Sequence, residues 1–169
     1  KNITIIDAPI SGGSVGAREA TLTFMVGCTK ENFRYISPLL ALMGNHINHF
    51  GKYGTGMMFK LLNNFITAST VVSVRQALHQ AQKFGIDKET LLKTVDTSSG
   101  QNWYVSKRKS LEWFNEGFNN RSMGILTKDV LAYVDTFENK KNKDNFTNGD
   151  LSKSIVLALK NMPVPYLPK

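Results

Sequence analysis

Apolar residues follow two rhythms along this chain, and the change between them falls at residues 51 to 56. Ahead of that change, Ile3 to Ala8 is a β-branched run closed by Pro9, the pattern of a buried strand. Leu22 to Val26 reads as a second short strand ended by Gly27, and His46 to Phe50 as a third ended by Gly51. Ser11-Gly12-Gly13-Ser14-Val15-Gly16 is expected to be a loop, because its glycines permit unusual backbone angles. Lys30 to Met43 carries apolar residues at Phe33, Ile36, Leu39, Leu40 and Met43, a helical spacing that continues through Pro38.

Beyond Gly51 to Gly56 the strand pattern stops. From Thr55 to Phe84 there is no proline, and apolar residues occupy most of the circumference. This predicts one long helix, buried on several sides and stopped at Gly85. Asp87 is placed to cap a following helix that contains Leu91, Leu92 and Val95. Ser98-Ser99-Gly100 breaks it, and Trp103 to Trp113 and Met123 to Phe137 predict two more. Asn139 to Gly149 is polar and reads as an exposed loop, whereas Leu151 to Asn161 resumes helical spacing before Pro163, Pro165 and Pro168. No internal repeat is visible.

The composition leaves this picture standing and removes some alternatives. At 41% hydrophobic and 20% charged, the chain has ordinary globular usage. No uninterrupted apolar run approaches the ~18–20 residues that a bilayer requires, so no membrane partner is expected. Cys28 is the single cysteine, which excludes an intrachain disulfide and a cysteine-rich metal centre. It is compatible with a reducing, cytoplasmic setting, or with the mitochondrial matrix in a eukaryote. The net charge of +8 over 169 residues is scattered apart from Lys107-Arg108-Lys109 and Lys140-Lys141-Asn142-Lys143. Neither cluster has the interleaved aromatics of a nucleic-acid platform, so no nucleic-acid partner is expected. His46, His49 and His79 lack metal-ligand spacing, and no metal is assigned. A chain that opens on Lys1, already inside a strand pattern, is expected to be an excerpt from a longer protein.

Three groups of residues are candidates for chemistry. Gly56, Lys60 and Asn64 recur at i, i+4 and i+8 on the long helix, with Asn63 alongside, placing a lysine and carboxamides on one stripe. Buried there, these groups need polar partners, which substrate oxygens would supply. The opposing reading is a lysine that extends to solvent and asparagines that tie down loops. Ser11-Gly12-Gly13 offers consecutive amides beside a hydroxyl, suited to a carboxylate or phosphate, or else forms an ordinary turn. Lys128-Asp129 is either a cofactor contact or an exposed surface pair. The dinucleotide fingerprint G-x-G-x-x-G is absent from these 169 residues.

Several motifs in order carry a resemblance. Asp7-Ala8-Pro9-Ile10-Ser11-Gly12-Gly13 with Gly16-Ala17 and Leu22 to Gly27 comes first, and then Gly54 to Asn64. Ser98-Ser99-Gly100 with Trp103 follows, and Lys128-Asp129 comes last. Over roughly residues 3 to 137 the chain resembles the β-hydroxyacid dehydrogenases, most closely the branch acting on 3-hydroxyisobutyrate. The resemblance implies a fold mainly helical overall. Residues 1–53 would be the C-terminal part of a Rossmann-like cofactor domain, an α/β remnant lacking the phosphate-binding half. Residues 54–169 would be a long interdomain helix and an all-α substrate and oligomerisation domain, incomplete at its C-terminus.

It further implies reversible oxidation of a short 3-hydroxy acid to its semialdehyde with NAD or NADP. Lys60 would be the general acid/base. Ser11, Gly12, Gly13, Asn63 and Asn64 would hold substrate, Lys128 would lie near the cofactor, and the enzyme would be a homodimer or homotetramer. The chain departs from the family in four places, one being that the family's final helix after its proline-rich turn is absent. The Rossmann phosphate-binding half is missing, so the piece alone is expected to bind dinucleotide poorly and to be inactive. Arg121 stands where the family has Phe, which bears on the cofactor contact, and the 139–149 stretch looks like an insertion. The alternative is a non-catalytic helical module that uses this fold for oligomerisation or partner binding.

Overall fold

A computed structural model describes residues 3–138 and 150–163. The chain forms two compact units, Lys1–Asn63 and Asn64–Lys169, and the division falls within one helix.

In the first unit three strands form one sheet in the order β1 (Ile10–Ser11), β2 (Leu22–Val26), β3 (Gly44–His49). β1 runs antiparallel to β2, pairing Ile10 with Phe24 and Ser11 with Thr23. β2 and β3 are parallel, so a crossover must join them, and α2 (Lys30–Leu40) does so. Thr29 caps α2 by accepting the Asn32 N–H at 3.2 Å. Phe33, Ile36 and Leu40 recur at helical spacing, and they pack with Leu22, Phe24, Val26 and Cys28 into the unit's core.

Two expectations fail in this unit. Ile3 to Ala8 is not a strand: Asp7 alone makes a β-bridge, to Gly27, and Ile3 and Ile5 are 78% and 66% exposed. A β-branched run becomes a strand only against a pleated neighbour that buries one face, and among the described residues Ile3 to Ile6 have none. The expected loop at Ser11 to Gly16 is a turn that enters a short helix, α1 (Gly13–Arg18). Gly12 at φ +130° and Gly13 at φ +62° reverse the chain into it, in backbone regions that L side chains avoid.

α3 (Thr55–Lys83) has the length that its proline-free pattern predicts. Its burial is less even than expected. Ala68, Val71, Val72 and Leu78 are buried, but Met57, Met58, Phe59, Leu62 and Ile66 are exposed. In the first turns one side of the helix meets Asp7, Met25 and Gly27, and Phe59 stacks on Phe50, which leaves the remaining sides uncovered. With a mean hydropathy of 1.2 over 18 residues, α3 is apolar and long enough to cross a bilayer by length and composition. Further along the same helix Arg75 is buried against protein carbonyls, which is the environment of a core helix.

The second unit is helical. α4 (Lys88–Asp96) is capped by Asp87, which accepts the Thr90 N–H at 2.8 Å as its sequence predicts. α5 (Trp103–Ser106) and a 3₁₀ turn at Glu112–Asn115 stand where one helix to Trp113 was expected. Just past α5, Arg108 turns inward, donating to Asp96 at 2.5 Å and to the Val105 carbonyl at 2.9 Å. α6 (Ser122–Tyr133) runs into a π-turn at Val134–Glu138, and α7 (Asp150–Lys160) packs against α6. Tyr104, Phe114, Met123, Val130 and Leu159 form the centre of this core. The expected loop at 139–149, Pro165 and Pro168 lie outside the described residues.

The Arg108–Asp96 pair gives stability a pH dependence. The Arg108 hydrogen bond, then that of Ser106, then the charge of Arg108 hold the Asp96 carboxyl below its ordinary value. A carboxyl lowered in the folded state stabilises it above the unfolded value, about 3.9, and this contribution disappears as pH falls through the lowered folded value. Asp96→Asn is therefore expected to melt below wild type at pH 6, with the difference narrowing below pH ~4. Thermal melts from pH 6 to pH 2 check this, and a difference that stays constant or widens toward acid would contradict it.

Candidate active site

The first unit carries one cluster of the predicted residues. Lys60, half-buried on the second turn of α3, donates from Nζ to the Ile10 carbonyl at 2.7 Å and makes further interactions. Ile10 begins β1, so the lysine is tied directly beside Ser11-Gly12-Gly13. Ser11 is half-buried, and Gly12 and Gly13 are exposed at the entry to α1. The first N–H groups of any helix have no partner within it, and here they follow the turn that Lys60 adjoins. Asn63, also half-buried and interacting, lies one turn beyond Lys60.

A residue to which the sequence assigned no role anchors this arrangement. Asp7 Oδ1 accepts the Gly54 N–H at 2.6 Å, and Oδ2 accepts the Met57 N–H at 2.8 Å. The carboxylate thereby caps α3 from 47 and 50 residues away, and its negative charge meets the positive end of the helix dipole. The only sequence signal is that Gly54, the residue before α3, has no side chain with which to cap the helix.

The second unit holds the other predicted residues. Asn64 is 7% exposed, and its Nδ2 donates to Asp129 Oδ2 at 2.5 Å. The carboxylate can only accept, which fixes the amide nitrogen toward it. The Lys128 ammonium stands 3.6 Å from Asp129 Oδ1, with its side chain 76% exposed. Asp129 thus lies between the two residues expected to serve substrate and cofactor, while Lys128 itself has the exposure of a surface cation. Arg121 is exposed at the start of α6. Among the described residues no group of three or more His, Cys, Asp or Glu forms a metal-binding cluster.

A dinucleotide needs a cradle of backbone N–H donors for its pyrophosphate as well as contacts to its edges. The exposed Lys128 ammonium fits one such contact to an anionic group. The turn at Ser11 to Gly16 lacks the fingerprint spacing, so the described residues do not fit the whole dinucleotide.

Two family models match the chain in turn. Residues 54–150 match the family model described as NAD-binding of NADP-dependent 3-hydroxyisobutyrate dehydrogenase. Residues 1–54 match that of the NAD-binding domain of 6-phosphogluconate dehydrogenase. The chain is 40% identical over 103 residues to the mitochondrial 3-hydroxyisobutyrate dehydrogenase of Drosophila melanogaster, covering 61% of this chain and 32% of that one. It is 40% identical over 106 residues to the 3-hydroxyisobutyrate dehydrogenase of Pseudomonas aeruginosa, covering 63% and 36%. The chain therefore spans about a third of the length of these relatives. The structure of the Mycobacterium tuberculosis 3-hydroxyisobutyrate dehydrogenase with L-serine superposes with a TM-score of 0.71, covering 93% of this chain and 57% of that one. At 24% identity this likeness shows the fold alone.

Proposed function

The chain belongs to the β-hydroxyacid dehydrogenase family and is most like its 3-hydroxyisobutyrate dehydrogenases, and we propose that it is the substrate-handling part of such an enzyme. The reaction is the reversible oxidation of a short 3-hydroxy acid, such as 3-hydroxyisobutyrate, to its semialdehyde with NAD or NADP. The observation that carries this reading is the Lys60 Nζ to Ile10 carbonyl hydrogen bond at 2.7 Å. It supports the reading because it holds a lysine beside a turn suited to a carboxylate.

In this reading the substrate carboxylate rests on Ser11, Gly12 and Gly13, with Asn63 and Asn64 as further ligands. Its hydroxyl faces Lys60. Neutral Lys60 accepts the hydroxyl proton in the oxidative direction, and its ammonium returns a proton to the carbonyl oxygen in the reductive one. Hydride acceptance is the chemistry that the dinucleotide supplies. The residues of this chain handle the proton and the anion, with Lys128 as an outlying cofactor contact. Residues 1–53 then belong to the cofactor domain and 54–169 to the substrate domain.

The test is substrate discrimination by the complete enzyme. Dinucleotide reduction is expected with 3-hydroxyisobutyrate or another short 3-hydroxy acid, and not with isobutanol, which lacks the carboxylate. No turnover with any hydroxy acid, or equal turnover with the alcohol, would refute the reading. A second reading, the non-catalytic oligomerisation module, is favoured by the exposed Met57, Met58, Phe59 and Ile66 on α3. Exposed apolar residues are equally compatible with a homodimer or homotetramer of an active enzyme, so turnover decides between the two readings.

A further inference from the structure

We propose that Asp7 is a positioning residue of the substrate site, setting where Lys60 stands relative to Ser11-Gly12-Gly13. This deepens the dehydrogenase reading and rests on it.

The segment from Asp7 to Ser11 is held at two points against the start of α3. At one end, both carboxylate oxygens of Asp7 are engaged by first-turn N–H groups, those of Gly54 and Met57. At the other, the Ile10 carbonyl takes the Lys60 ammonium. Met57 and Lys60 are three residues apart on the helix, as Asp7 and Ile10 are in the segment. One grip therefore fixes the frame in which the other forms. If Asp7 releases the helix, Ile10 and the turn after it shift relative to Lys60.

The surroundings hold Asp7 close against the start of α3. Its N–H donates to the Gly27 carbonyl at 3.2 Å, and the Gly27 N–H donates to the Asp7 carbonyl at 2.8 Å. A Cβ at Gly27 would lie 2.2 Å from Asp7 Oδ1. A Cβ at Gly56 would lie 2.1 Å from the Met25 carbonyl oxygen and 2.8 Å from Asp7 Oδ2. Glycine on both sides lets the carboxylate reach the helix end. An ordinary N-cap comes from the residue next to its helix and needs no such space. This one is drawn from the segment that leads through β1 into the turn at Ser11-Gly12-Gly13, which is why its consequence is placement as well as stability.

The experiment compares Asp7→Asn, Asp7→Ala and Lys60→Ala in the complete enzyme by steady-state kinetics, dinucleotide titration and thermal melting. A displacement of about 1 Å at a reacting group costs on the order of 10²-fold, so Asp7→Ala is expected to lower kcat about 10–100-fold with KM for the hydroxy acid changed only about threefold. Asp7→Asn keeps one acceptor oxygen and is expected to fall between wild type and Asp7→Ala, with dinucleotide affinity unchanged in both. A residue that only stabilised the helix end would lower the melting temperature and leave kcat in place. The proposal is overturned if folded Asp7 variants keep wild-type kcat, or if only KM changes. It is equally overturned if neither variant folds, since Asp7 would then be a structural cap. Full turnover in Lys60→Ala sinks both this inference and the acid/base reading. Loss in Lys60→Ala with unaffected Asp7 variants sinks this inference alone.

Discussion

Lys60→Ala is expected to lower kcat of the complete enzyme by about 10²–10⁴-fold, the usual worth of a positioned proton-transfer group. The argument needs the lysine for its chemistry as well as its charge, and Lys60→Arg separates the two. Arginine keeps the positive charge and can still donate to the Ile10 carbonyl, but its guanidinium stays protonated and cannot accept the hydroxyl proton. Both variants are therefore expected to lose turnover alike. A site that used Lys60 only as an anion anchor would retain activity in Lys60→Arg and show a raised KM in Lys60→Ala. Steady-state kinetics with a short 3-hydroxy acid, together with dinucleotide titration to verify that the cofactor side is intact, distinguish these outcomes. Turnover within a few-fold of wild type in either variant would defeat the acid/base assignment.

Features governed by neighbours in sequence were legible from the chain alone. Asp87 caps α4 because the donor that it satisfies is three residues away, and α3 follows from a proline-free apolar stretch. Misreadings arose where partners are remote. Ile3 to Ile6 has strand-forming side chains, but a strand exists only beside another, and local propensity carries no information about that neighbour. The helix from Trp103 ends at Ser106, and Arg108 beyond it reaches Asp96 twelve residues back, a partner that local spacing does not reveal. The site follows the same rule. Lys60, Asn63 and Asn64 stand out as polar groups on an apolar helix, and family motifs supply their expected roles. Asp7 and Asp129 draw their importance from partners 47 to 65 residues away, to which no local spacing points.

Arg75 is the clearest case of a remote partner, and its replacement carries the largest expected effect on stability. Its residue is 5% exposed, and among the described residues no carboxylate hydrogen-bonds it. Instead the guanidinium donates to three backbone carbonyls, those of Phe114, Glu116 and Pro163, the last at 2.8 Å. One side chain thus joins α3, the 3₁₀ turn and the chain beyond α7. Burial pulls its proton affinity down while Tyr104 pushes it up. The Tyr104 phenol, mainly through burial, is pushed up to about 12 and stays protonated at neutral pH. Arg75→Met fills much of the volume but removes every donor. The Glu116 and Pro163 carbonyls belong to exposed residues and can recruit water, whereas Phe114 is 2% exposed. A destabilisation on the order of 3 kcal/mol is expected from these unpaired acceptors. Tyr104 also donates to the Phe114 carbonyl, at 3.3 Å, so either donor partly covers for the other. Arg75→Met with Tyr104→Phe should therefore cost more than the sum of the single changes, by about 0.5–3 kcal/mol. Urea unfolding of the four proteins in the cycle measures this. Strict additivity, or an Arg75→Met variant as stable as wild type, would show that the three carbonyls find water as readily as they find the guanidinium.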